Sequence, residues 1–129
     1  MLDRINIHIE VPRVDYEKLS GDRMGETSES IHKRVQAARN IQQQRFASSQ
    51  SDTICNADMR VGAIRQFCKL QDEGQSLTRA AMTQLNLSAR AYHRILKLAR
   101  TIADLAGCDE IQSVHLAEAL QYRPKIMME

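Results

Sequence analysis

Arg90 falls in the run Leu87-Ser88-Ala89-Arg90-Ala91-Tyr92-His93-Arg94, where Ser88 is placed to cap a helix that begins just after it. In the first turn of a helix the exposed amides and the helix dipole already favour an anion. A guanidinium added there makes a plausible phosphate contact, because its planar fork bonds two oxygens at once. The competing reading is that Arg90, Arg94 and Lys97 form an ordinary solvated face. On composition alone that reading prevails, since charged side chains are the commonest occupants of exposed helix positions.

The rest of the sequence spells out little chemistry. A phosphate cradle of the form G-x-x-x-x-G-K-[ST] is missing, because none of Gly21, Gly25, Gly62, Gly74 and Gly107 is followed by lysine. The chain alone is therefore not expected to hydrolyse ATP. No Ser, His and Asp set has the context of an activated nucleophile, and no carboxylate pair stands out from the solvated ones. His8, His32, His93 and His115 contain no pair at i, i+4, and Cys55, Cys68 and Cys108 match neither a disulfide framework nor C-x-x-C spacing, so no metal is assigned. The cysteines are expected to be reduced and buried. The net charge of +2, from 18 basic and 16 acidic residues, is too even for nucleic-acid binding by the whole surface. Any electrostatic role must be local.

The elements that would position Arg90 follow from composition and period. Strong helix formers (Ala, Leu, Gln, Arg, Lys, Met, Glu) make up 68 of 129 residues, and the only prolines are Pro12 and Pro124, which predicts an all-α fold, a small bundle of about four to five helices. Ser88 to Gly107 is the best amphipathic stretch, with Tyr92, Ile95, Leu96, Ala99, Ile102, Ala103 and Ala106 on a core stripe and Arg90, Arg94, Lys97 and Arg100 on other faces. Before it come a helix from Thr27 or Ser28 to about Phe46, a polar and mobile loop over 47–56, a short helix from about Met59 to Phe67, and a helix opened by an Asp72–Gln75 capping box and closed near Asn86. After it, Ser113 caps a last helix over Val114 to Tyr122, buried through Leu116, Ala117 and Leu120.

Residues 4–11 are different. Ile5, Ile7, Ile9 and Val11 alternate with polar residues in a strand pattern that nothing later repeats. One strand has no ladder partner. It therefore pairs with a second copy of the chain or is the last strand of a missing α/β domain, left as an orphan segment expected to be disordered. The expected organisation is 1–12 as that strand, 13–26 as linker, 27–123 as the helical domain and 124–129 as a frayed tail. No apolar run is long enough for a membrane span or a signal peptide, so the chain is read as soluble and cytoplasmic.

The stretch from Leu87 to Gly107, followed by His115-Leu116-Ala117-Glu118-Ala119-Leu120-Gln121-Tyr122-Arg123, closely resembles the C-terminal domain of the magnesium-chelatase-related AAA+ ATPases of the ComM/YifB type. The resemblance extends to Leu2-Asp3-Arg4-Ile5-Asn6-Ile7-His8-Ile9-Glu10-Val11-Pro12 and covers nearly the whole chain. It implies the helical lid of a ring-forming ATPase, preceded by the last strand of its P-loop core. By resemblance, Arg90 corresponds to sensor 2, which touches the phosphates of ATP. Arg4 corresponds to the arginine finger that one subunit offers to its neighbour's γ-phosphate, stabilising charge during phosphoryl transfer. Asn6 stands where the family would be expected to carry Asp.

The implied cofactors are ATP and Mg²⁺ in the full-length parent, neither binding this fragment tightly. The implied partners are the missing core, neighbouring subunits of a homo-oligomeric ring and, through the whole protein, DNA, with no membrane. Resemblance to the ComM type favours a DNA-processing motor. The alternatives are a stand-alone helical DNA-binding module using Arg90, Arg94, Lys97 and Arg100, or a chelatase-type ATPase subunit.

Overall fold

A computed structural model of the chain describes residues 7–9, 25–47 and 53–122. These form five α-helices, which we number α1 to α5 in chain order, and no strand. The all-α bundle expected from composition is what folds.

Helix α1, Ser28–Ala47, opens with the Ser30 amide donating to Thr27 Oγ1 at 3.2 Å. It buries Ala38, Gln42 and Phe46, one face of its C-terminal half, while Ile31 and Val35 on its N-terminal half stay exposed. A 3₁₀ turn at Asn56–Asp58 leads through buried Met59 into the short helix α2, Val61–Phe67. Of the loop expected over 47–56, residues 48–52 lie outside the described residues, Ala47 ends α1, and Asn56 is buried because it finds polar partners inside the domain. Helix α3, Asp72–Leu85, begins one residue earlier than the expected capping box requires. Gln71 is its N-cap, Asp72 is its first residue, and Gln75 turns its side-chain amide back to the Leu70 carbonyl at 3.1 Å.

Asn86 adopts the left-handed conformation, φ 51°, that ends α3 and turns the chain into α4, Ala89–Leu105. Gly107, at φ 72°, then closes α4, a conformation glycine adopts without strain. Helix α5, Ser113–Gln121, is capped by Gln112 rather than Ser113, and the Gln112 amide donates to His115 Nδ1 at 3.0 Å. His115 is thus a local structural hydrogen-bonding residue at the start of α5.

Helix α4 is the hub, packed against α1, α2, α5 and the 3₁₀ turn. Ile95, Leu96, Ala99 and Ala103 form its core stripe, and the fully buried Ala99 and Ala103 leave room for Leu116 and Ala119 of α5 in the same cluster. Ala106, expected on that stripe, is exposed at the end of the helix. Leu116 and Ala119, rather than Ala117 and Leu120, are the most buried apolar residues of α5. Phe46 meets Phe67 edge to face, with ring centroids 5.4 Å apart, tying α1 to α2. An isolated parallel bridge joins Leu70 to the buried Ile111.

Most of the expected orphan strand, the linker as far as residue 24 and the tail from residue 123 lie outside the described residues. Of residues 7–9, the His8 amide donates to the Tyr122 carbonyl at 2.7 Å. Among the described residues, no helix is long and apolar enough to cross a membrane.

Candidate functional site

The start of α4 is fixed by local chemistry. Ser88 is extended (φ −74°, ψ 164°), and its hydroxyl accepts the Ala91 amide at 3.1 Å. The Tyr92 amide donates to the Ser88 carbonyl at 2.9 Å. Among the described residues, the amides of Ala89 and Arg90 meet no acceptor. They are the unsatisfied donors that give a helix start its affinity for anions. Arg90 is the second residue of the helix and is exposed.

Arg90 borders an open cleft of about 560 Å³ between α2 and α4. Arg60, the N-cap of α2, stands on one wall, and Arg90, His93, Arg94 and Lys97 stand on the other. Among the described residues the cleft's remaining lining is apolar, with Met59 and Ile64 almost wholly buried, and no carboxylate borders it. Lys97 donates to the Ala57 carbonyl at 3.2 Å. One guanidinium nitrogen of Arg94, Nη1, is buried without a hydrogen-bond partner. Neither Arg94 nor Lys97 is fully solvated, as both are half-buried. Tyr92 and His93, whose rings lie 5.4 Å apart, are half-buried as well, and Tyr92 packs on the core.

The orientation of α4 depends on a buried polar network absent from the sequence reading. Asp104 is fully enclosed and accepts two bonds from Arg45 of α1, at 2.7 and 2.9 Å, and one from the Asn56 side chain at 2.9 Å. Arg100, one turn back on α4, adds an ion pair at 3.2 Å and donates to the Cys108 and Asp109 carbonyls at 2.9 and 3.0 Å. Asn56 donates further to Thr101 Oγ1 at 3.0 Å, and its backbone amide donates to Gln42 Oε1 at 2.9 Å. Arg100 was expected on a face other than the core stripe. It is 4% exposed, its two terminal nitrogens held by the Asp104 carboxylate and the turn after α4 and its Nε left without a partner among the described residues.

The cysteines also differ from expectation. All three are free, but only Cys68 is buried, while Cys55 and Cys108 are partly exposed. Burial pushes the Cys68 thiol up to about 11, against the opposing pull of Arg100 and Arg45, so it stays protonated and inert near neutrality. Arg4, the other expected site residue, lies outside the described residues. Among the described residues, no three His, Cys, Asp or Glu side chains gather as metal ligands would.

The described helices fall within a magnesium-chelatase-related C-terminal domain. The family model described as magnesium chelatase, subunit ChlI C-terminal, matches residues 25–123, and the chain belongs to that family. It is 43% identical over 129 residues to competence protein ComM of Haemophilus influenzae, a match covering 98% of this chain and 24% of the relative. It is 40% identical over 123 residues to the YifB protein of Escherichia coli, covering 95% and 23%, and 36% identical to YifB of Salmonella typhimurium over the same shares. The chain thus spans about a quarter of the length of the curated relatives it matches. The resemblance to the ComM/YifB type is borne out.

Proposed function

We propose that this chain is the helical lid of a ring-forming AAA+ ATPase and that Arg90 is its sensor 2, meeting the phosphates of bound ATP. The observation that carries this reading is the position of Arg90: exposed in the first turn of a helix capped by Ser88, beside two amides without an acceptor, on a cleft whose lining, among the described residues, is basic and not acidic. A guanidinium there adds a bidentate donor to a site already favourable to anions. Arg4 is proposed as the arginine finger acting on a neighbouring subunit, by the family resemblance alone.

ATP, when bound, supplies the phosphoanhydride whose cleavage drives the motor. The cationic lining of the cleft fits its phosphates. Mg²⁺ is a different matter, because no carboxylate among the described residues borders the cleft, so its ligands are proposed to come from the core and the nucleotide. The network around Asp104 holds α4 to α1 and so keeps Arg90 at a fixed place on the lid.

The whole protein is proposed to work as a DNA-processing motor, a reading that rests on the likeness to the ComM type. The stand-alone DNA-binding reading has less support, since of its four basic residues Arg100 is buried, Arg94 and Lys97 are half-buried and only Arg90 is exposed. Two measurements test the lid reading. ATP turnover by the full-length protein should fall in Arg90→Ala, and the 129-residue chain should bind duplex DNA no better than a salt-screened, non-specific contact. Unchanged turnover would remove Arg90 from the nucleotide site. Tight and steeply salt-dependent DNA binding by the chain alone would favour the other reading.

A further inference from the structure

We propose that the groove between α3 and α4, floored in part by α2, is the docking site of an acidic amphipathic helix from another protein, held by apolar anchors on the floor and by carboxylates at a cationic rim. Arg90 does not line this groove, so its occupant is independent of the role given to that residue.

Helix α3 packs chiefly on α5, with Leu116 seated against Gly74, and leaves a gap toward α4. The gap opens as a groove of about 620 Å³. That is within the range of binding clefts, roughly 300–1,000 Å³. Ile64, Cys68 and Leu96 form its buried floor, and the half-buried Leu70, Met82 and Tyr92 form its walls. Buried Thr78 lines it too, but its hydroxyl is already spent on the Gly74 carbonyl at 2.9 Å. The floor therefore calls for apolar side chains rather than for a small polar ligand.

The rim has one sign of charge. Arg65 and Lys69 stand on the α2 side and Arg79 on the α3 side, all three exposed. Long basic side chains lay their apolar stems along such walls and keep their charged heads in water. Among the described residues no carboxylate lines the groove, so the three cations set its potential unopposed. Carboxylates flanking an apolar stripe complement this arrangement.

The walls also select the form of the partner. They are helices, whose backbone groups are bonded internally, so they offer no ladder to an added strand and suit a helix laid between them. A single nucleic-acid strand would need an open aromatic face on which to stack its bases. Tyr92 gives no such face, being half-buried and tilted at 48° against His93.

The test is an NMR titration of the 129-residue chain with three synthetic peptides. The first is an amphipathic helix of leucine, alanine and glutamate, the second carries lysine for each glutamate, and the third is a scrambled form of the first. The acidic helix should shift the amide signals of Lys69, Arg79 and Tyr92 and bind with a Kd on the order of 10 μM, the other two at least about tenfold more weakly. Arg65→Gln and Arg79→Gln should each weaken it about threefold, and Met82→Ala about tenfold. Arg39→Gln, an equal change of charge on α1 away from the groove, should leave it unchanged. Far-UV circular dichroism checks the fold of each variant.

Equal binding of the acidic and lysine peptides, or full affinity in Arg79→Gln and Met82→Ala, would overturn the proposal. So would a thymidine oligonucleotide that shifts the same signals at lower concentration than the acidic helix, which would assign the groove to nucleic acid. Self-association of the chain in light scattering, with these same signals shifting as concentration rises, would assign it to a second copy and overturn the proposal equally.

Discussion

Arg45 of α1 grips Asp104 of α4 with both terminal guanidinium nitrogens, Nη2 to Oδ1 at 2.7 Å and Nη1 to Oδ2 at 2.9 Å, across 59 residues of sequence. Asn56 and Arg100 complete the surroundings of the carboxylate, whose side chain has no exposure. Two cationic side chains and an amide therefore depend on one buried anion. The pair also links the helix that opens the domain to the one whose start carries Arg90.

Removing that anion should be severe. Asp104→Ala leaves two buried guanidinium groups facing each other, and breaking a buried pair by deleting one partner typically costs about 3–5 kcal/mol. Urea denaturation of the chain should show a loss of that size. Arg45→Met combined with Asp104→Leu should recover part of it, because matched apolar replacements remove both charges. A loss below about 1 kcal/mol in Asp104→Ala would mean that the network is not rigid in solution.

The contrast between Ser88 and Asp104 explains what the sequence could disclose. Ser88, Asn86 and Gly107 act through their own backbone neighbours, so cap and turn chemistry locates α4 from residue types alone. Arg100 and Asp104 bear charged letters on a helix, which usually mean solvent. Their burial is decided by Arg45 and Asn56, far away in the chain. One signal was present: Leu96, Ala99, Arg100, Ala103 and Asp104 follow the i, i+3, i+4, i+7, i+8 period of a core face, and the two charged residues fall on it. Arg90 was legible as a helix-start arginine. Its neighbour across the cleft, Arg60, was not, because that proximity comes from the packing of α2 against α4.

The Ser88 cap predicts a smaller and local effect. Ser88→Ala deletes the acceptor of the Ala91 amide and should cost about 1 kcal/mol, read as a lower midpoint in thermal unfolding. In the full-length protein the same change should weaken nucleotide binding without abolishing it, since Arg90 remains but the first turn that aims it loosens. A melting curve identical to that of the unaltered chain would show that the cap contributes nothing.

Cys68 should set an alkaline limit on stability. In the unfolded chain its thiol ionises near 9, whereas in the fold burial holds it protonated to about 11. The favourable difference is fully present below pH 9 and is lost as pH rises through 11, at about 1.4 kcal/mol for each unit between the two values. Cys68→Ala should flatten this decline in denaturation measured from pH 8 to pH 11. At pH 8 a thiol reagent should label Cys55 and Cys108 quickly and Cys68 only on unfolding. Three equally fast cysteines would contradict the burial of Cys68.

The central claim is that Arg90 meets the phosphates of ATP, and steady-state ATP hydrolysis by the full-length protein tests it most directly. Arg90→Ala should lower kcat/KM by about 10²-fold or more, with Arg90→Lys recovering only part of the loss because an ammonium lacks the planar fork. The lid should stay folded in both variants, since Arg90 is exposed and holds no side-chain partner among the described residues. Turnover within about twofold of the unaltered protein, in a folded Arg90→Ala ring, would contradict the account.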